Sequence, residues 1–323
     1  MPSPLPGQQR FVAPLDETPL QETGTVDTSS APESQWKEAW KDLRGNWVFW
    51  VSSVMILLVA VVVIAPGLFT SIDPTYADLS KSLDPPSGGH IAGYDKQGYD
   101  VFARMIHGAR ASVLVGVLST ILITVVGLLT GAVAGFYGGW ADTLISRLAD
   151  IFFAIPLLLG AIVGLSLVNN IWPDRGFFGA IIAVVIALGA FAWPQVTRIA
   201  RGAVLQIKHQ EFIDAARAIG VTRRGNLLRH VIPNSLAPVI VTATVTLGIL
   251  IVAEATLSYL GIGLPPGVVS WGNDISAAQN QIRSGQRVGV MFWPAGALAF
   301  TALAFILLGD AVSDALNPKR RSE

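Results

Sequence analysis

Long apolar runs alternate with shorter polar stretches along this chain. Six runs are long enough to cross a membrane as helices, over roughly 47–69, 112–137, 146–168, 177–199, 236–259 and 291–312. A helix rises 1.5 Å per residue, so about 20 residues cover an apolar layer of about 30 Å. Strand alternation is absent, which argues against a membrane barrel. The pattern predicts an all-α membrane protein with six transmembrane helices. The first 35 residues break it, being rich in Pro, Ser, Thr, Gln and acidic residues. Too few apolar groups stand there to offset ordering entropy, so 1–35 reads as a disordered tail. No short apolar run with a basic start precedes the first span, so no cleavable signal peptide is expected. Residues 36–110 hold the first span and a long loop, 111–318 a five-span core, and 319–323 a basic tail.

Composition agrees: 52% of residues are hydrophobic, 14% are charged and the mean hydropathy is +0.54. Soluble domains carry nearer 25% charge. The formal net charge is zero, which argues against a nucleic-acid partner. The chain has no cysteine, which excludes disulfides and thiolate metal sites. His90, His107, His209 and His230 are scattered and form no metal-spaced pair. With the N-terminus inside, and leaving out the first 35 residues, the inner segments hold fourteen Lys and Arg and the outer ones seven. Both termini and the 200–233 loop are therefore expected in the cytoplasm.

Within the spans, Gly127, Gly131 and Gly135, continued by Gly139, line one helix face, and Gly160 and Gly164 repeat the spacing. Such faces let backbones approach closely, either as ordinary packing or as a gate surface. Pro156 and Pro194 lie inside the third and fourth spans, where each removes a helical hydrogen bond and predicts a kink. Glu254, Asp150 and Asp310 fall near span ends, where hydration is cheap. Structural hydrogen bonding fits them better than a mid-membrane proton relay.

Two loops precede the most informative one. In 70–110, Tyr99, Phe102 and Ile106 fall near helical spacing and predict a short amphipathic helix on the outer face, an anchor or a platform for a partner. After the fifth span, Pro265, Pro266, Gly261 and Gly263 predict a stiff turn that closes the bundle, gates it or meets a docked protein.

The 200–233 loop is polar and helical in pattern. Phe212, Ala215, Ala216 and Ile219 fall at i, i+3, i+4 and i+7, one apolar stripe. Glu211, Asp214 and Arg217 fall largely off it. Gly220 supplies a left-handed turn. Thr222 caps a second helix, Leu227, Leu228 and Val231 give that helix an apolar side, and Pro233 stops it and opens the fifth span. Such a loop either lies flat on lipid, held by Arg223 and Arg224, or fits a groove in a cytoplasmic protein and carries motion into the fourth and fifth spans.

Asp214-Ala-Ala-x-x-x-Gly220, with Pro233 beyond, resembles the EAA motif of bacterial ABC importer permeases. Asp stands for the usual Glu, and His230 stands where an apolar residue is common. Further segments resemble the dipeptide, oligopeptide and nickel permease group. They are Gly93-x-Asp95-x-x-Gly98-x-Asp100-x-Phe102-x-Arg104-x-x-x-Gly108-Ala-Arg110, Gly135-Phe-Tyr-Gly-Gly139, Arg198-x-x-Arg201-Gly202, Glu254-Ala-x-Leu-Ser-Tyr-Leu-Gly261, Ser270-Trp-Gly272 and Leu308-Gly-Asp-x-x-x-Asp-Ala-Leu-x-Pro318. The resemblance covers about 45–318 and is nearest to the C-type subunit of the group.

The resemblance implies a type I ABC importer permease fold in the bacterial cytoplasmic membrane. It implies a heterodimer with a B-type permease, two cytoplasmic ATPase subunits or one fused ATPase, and an extracytoplasmic substrate-binding protein. ATP and Mg would sit on the ATPases, with no cofactor on this chain. Phe212, Asp214, Ala215, Ala216, Ile219 and Gly220 would be ATPase-coupling residues, with Glu211, Arg217, Arg223 and Arg224 as neighbouring contacts. Peptides are the commonest cargo of the group; nickel chelates, glutathione, haem and opines are alternatives.

Two other classes make different demands on the residues. A self-sufficient secondary transporter or channel predicts mid-membrane polar groups or broken helices in an inverted repeat, and neither stands out. An intramembrane enzyme needs a constellation such as His-Glu-x-x-His, and the chain has none. It also lacks a Gly-x-x-x-x-Gly-Lys-Ser/Thr phosphate loop.

Overall fold

A computed structural model describes residues 35–173, 175–283 and 289–316. The expected disordered tail, apart from residue 35, and the basic tail lie outside them. The chain divides into a unit of residues 1–38, of which only the first turn of a helix is described, and a unit of residues 39–323. In chain order the described helices are α1 (Gln35–Gly45), α2 (Trp47–Ile64), α3 (Val101–Tyr137), α4 (Gly139–Ala154), α5 (Leu157–Ile171), α6 (Gly176–Ile207), α7 (Glu211–Ala218), α8 (Arg223–Asn226), α9 (Ile232–Tyr259), α10 (Trp271–Arg283) and α11 (Gly289–Leu316). Five stretches are long and apolar enough to cross a membrane, and a sixth crossing is present if α4 and α5 count as one.

The glycine stripe is a packing face. A Cβ on Gly127 would meet Val196 Cβ at 2.5 Å, and one on Gly131 would meet the Thr197 carbonyl oxygen at 2.5 Å. Gly135 repeats the fit one turn on, against Val204 and the Arg201 carbonyl. Bare backbone on α3 thus lets α6 approach along three turns, and the Thr130 and Thr197 hydroxyls bond across at 2.8 Å. Around this pair a core of Ile123, Leu165, Leu188, Val196, Leu250 and Leu257 joins α3, α5, α6 and α9.

Three expectations change. The amphipathic segment around Tyr99, Phe102 and Ile106 is not a separate helix, because Phe102 and Ile106 lie in the first turns of the 37-residue α3. Charged residues there interrupt the hydropathy but nothing interrupts the backbone. Asp100 caps the helix by accepting the Ala103 N–H at 2.7 Å. The third span is not one kinked helix: α4 and α5 meet at 90°. Ile155, forced toward the extended region by the following Pro156, sits at φ −87° and ψ 122° and ends α4 outright. Finally, the helix begun at Arg223 is not stopped by Pro233. It passes through a π-helical turn at Leu227–Val231, where the Ile232 N–H reaches back to the Leu227 carbonyl, and runs on into α9. The wider turn makes room ahead of a residue that lacks an N–H. By contrast, α6 continues through Pro194.

Candidate functional site

The loop between α6 and α9 is a built object. Glu211 and Asp214 occupy the first turn of α7 and Arg217 the last, matching the helix dipole. Gly220 has φ +91°, a conformation that a side chain would strain. The Gly220 N–H donates to the Arg217 carbonyl and the Val221 N–H to the Ala216 carbonyl, both at 3.0 Å. This pair of bonds closes the helix end in a Schellman turn. Thr222 then caps α8, its hydroxyl accepting the Gly225 N–H at 3.2 Å.

The apolar stripe read from the sequence divides into two faces. Ala216 is only 7% exposed and turns inward beside Ile213, which is fully buried with Ala132, Val204, Leu227 and Val231. Phe212 is 45% exposed and Ile219 83%, and Ala215 lies between them on the open side. Glu211, Asp214, Arg217, Gly220, Arg223 and Arg224 are also exposed. Arg217 donates to Asp214 at 2.9 Å across one turn. Leu228, 64% exposed, adds a third outward apolar side chain from the π-helical turn. The open side therefore carries large apolar groups bordered by acids and arginines.

The loop is tied to the spans at several points. Asn226 is buried and its side-chain amide donates to the Ile213 carbonyl at 3.4 Å, joining the two short helices. Lys208 donates to the Gly135 carbonyl at 2.7 Å, fastening the end of α6 to the end of α3. Arg201 makes two bonds to Asp142 of α4, at 2.6 and 2.7 Å, and Arg198 bonds Asp150 at 2.7 Å. The arginines of the Arg198-x-x-Arg201 segment are thus ion-pair partners of α4. Sequence reasoning singled out neither Asp142, Ile213 nor Asn226. The paired arginines facing a helix with acids eight residues apart were the available signal for Asp142.

At the opposite end of the bundle, segments far apart in sequence converge. Asp274 of α10 accepts from Arg104 of α3 at 2.6–2.7 Å. The Trp271 indole donates to the Met105 carbonyl at 2.8 Å, and Gly108 lies against the Ser270 backbone. The Asn273 amide donates to the Pro265 and Val268 carbonyls, both at 2.9 Å, and so closes the turn after α9. Glu254 is fully buried, accepting from the Ser258 hydroxyl at 2.8 Å. Asp310, by contrast, is exposed on α11. Helix α10 was not foreseen, since its polar Asn-Gln-rich sequence carries no apolar stripe long enough to stand out. No group of three or more His, Cys, Asp or Glu among the described residues could hold a metal.

Comparison with known proteins follows the same lines. Residues 127–322 match the family of binding-protein-dependent transport system inner membrane components, and residues 34–86 match the N-terminal transmembrane domain of oligopeptide transport permease C. The chain is 36% identical to the oligopeptide transport system permease protein OppC of Bacillus subtilis, over 89% of this chain and 91% of that one. It is 35% identical to the dipeptide transport system permease protein DppC of Alkalihalophilus pseudofirmus, over 90% and 91%. It is 32% identical to the glutathione transport system permease protein GsiD of Pectobacterium atrosepticum, over 89% and 92%. Among solved structures, a chain of the inward-facing MetNI methionine ABC transporter matches with TM-score 0.52 and 21% identity, covering 66% of this chain and 96% of that one. That match supports the same fold.

Proposed function

This chain belongs to the binding-protein-dependent transport system inner membrane components, and from that premise we propose that it imports peptides by coupling a partner ATPase to its own helices. It forms half of a translocation pathway with a B-type permease. An extracytoplasmic binding protein delivers cargo, and ATP with Mg is bound and hydrolysed on cytoplasmic ATPase subunits, separate or fused. The relatives named for oligopeptides, dipeptides and glutathione support a peptide cargo. The excess of Lys and Arg on the α7 side supports cytoplasmic termini in a bacterial cytoplasmic membrane.

One observation carries the coupling role. Phe212 and Ile219 stand exposed on a loop whose other face is packed and whose end is fixed by Gly220. Exposed apolar groups rimmed by charge mark a protein contact. Because Asn226 joins α8 to α7, and Lys208 and Arg201 tie the end of α6 that leads into the loop to α3 and α4, a push on α7 reaches the spans through short, directed bonds. The test is ATP-driven uptake of a labelled peptide by the assembled importer in proteoliposomes. Uptake should need ATP, the binding protein and the intact loop. Uptake by this chain without an ATPase would overturn the reading in favour of a secondary transporter.

A further inference from the structure

Backbone at membrane depth that is not helical must be buried in protein or face water, because lipid satisfies no hydrogen bonds. The break at Pro156 is such a place. It leaves the last carbonyls of α4 and the first N–H groups of α5 without helical partners, and no side chain caps α5. Counting about 1.5 Å per residue, Pro156 lies about 22 Å along α5 from Ile171. Thr246 lies about 20 Å along α9 from Tyr259, and Gln195 about 28 Å along α6 from Gly176. Pro156 and Gln195 therefore fall in the half of the bundle nearer α7, and Thr246 falls at the middle of α9.

These residues share one cleft of about 170 Å³, walled by Phe153, Pro156, Phe191 and Ile249. Two polar side chains open into it. Gln195 is exposed, and Thr246 is only 5% exposed. Among the described residues neither side chain has a hydrogen-bond partner, whereas Thr242 and Thr244 on the same helix each donate to a carbonyl one turn back. An amide in an otherwise apolar wall is costly against lipid.

We propose that this cleft is a hydrated segment of the transport pathway, and that Gln195 and Thr246 supply hydrogen bonds to the amide groups of passing cargo. The inference rests on the permease reading above. The two helix ends at Pro156 offer bare carbonyls and N–H groups to the same space, so donors and acceptors suited to a peptide backbone meet there. The bend also gives the cleft a hinge, because α4 and α5 are joined only through Ile155 and Pro156.

The chain has no cysteine, so single-cysteine labelling can be read directly on it. Gln195→Cys and, as a comparison on the same helix, Ile186→Cys are placed in the assembled importer in proteoliposomes. Each is treated with a water-soluble methanethiosulfonate, with and without ATP and peptide. Gln195→Cys should react at least tenfold faster than Ile186→Cys, and peptide with its binding protein should slow that reaction. Thr246→Val and Gln195→Leu should raise the KM for peptide uptake several-fold, with Gln195→Asn recovering part of the loss. An importer that takes up peptide while Gln195→Cys stays unreactive in every nucleotide state overturns the cleft assignment alone. Absence of ATP-driven uptake by the unsubstituted importer overturns both readings.

Discussion

The Arg201 guanidinium holds the Asp142 carboxylate with two hydrogen bonds, of 2.6 and 2.7 Å, and so clamps α6 to α4 two turns before the loop that carries α7 begins. Only a planar guanidinium can make both bonds at once. Arg201→Lys should therefore show most of the loss caused by Arg201→Ala. Both partners are partly exposed, so the coupling free energy from a double-mutant cycle with Asp142→Asn should be about 1 kcal/mol. Thermal melts of the four proteins in detergent give that number. On the proposed coupling role, the uptake rate should fall more steeply than stability.

The two faces of α7 predict two different failures. Phe212→Ala and Ile219→Ala should leave the chain inserted and as stable as before, while weakening co-purification with the ATPase and lowering uptake. Ile213→Ala removes a fully buried side chain and should cost about 2–4 kcal/mol of local stability. Ala216→Arg should behave like Ile213→Ala, because Ala216 faces its own chain. Proteolysis of the loop in membranes separates the classes. Equal protease resistance of Phe212→Ala and Ile213→Ala would refute the division into faces.

Gly220 separates conformation from contact. A Cβ there would meet nothing within 4 Å, so the objection to a side chain is the φ of +91° alone. Gly220→Ala should cost about 1–2 kcal/mol and lower uptake modestly. Gly220→Pro cannot adopt this φ, and it also removes the N–H that closes onto Arg217. It should abolish uptake while the chain still inserts, as followed by membrane fractionation alongside peptide transport.

The spans and the helical loop at α7 were legible because hydropathy and a short spaced motif each act locally. The remainder depended on information that periodicity does not carry. Around α7, Phe212, Ala215, Ala216 and Ile219 share one broad apolar arc, and only the position of α3 and α6 decides that Ile213 and Ala216 turn inward. At Pro156 a kink and a break have the same sequence. The 90° turn follows from what α4 packs against, with Asp142 and Asp150 both held by α6. The Arg104 and Asp274 pair spans 170 residues, a separation beyond the reach of any local pattern.

That pair yields a pH prediction. Asp274 is largely buried, and that desolvation pushes its carboxyl up to about 6 from an ordinary 3.8, even though Arg104 opposes the shift and Asp95 adds to it. A carboxyl raised in the folded state binds its proton more tightly than in the unfolded chain. Folding is then favoured at low pH, and stability falls as pH rises from about 4 to about 6. Above that window the ionised Asp274 depends on the bonds from Arg104, and the loss levels off. The contribution is at most about 3 kcal/mol across the window. Asp274→Asn keeps the shape and removes the titration, so its melting temperature should lack this component while the unsubstituted protein retains it. Arg104→Gln should enlarge the loss at neutral pH, since the carboxylate would then be buried without its cation. Melting curves of the three proteins between pH 4 and 8 measure the effect. A slope that survives Asp274→Asn unchanged would show that another group titrates in its place.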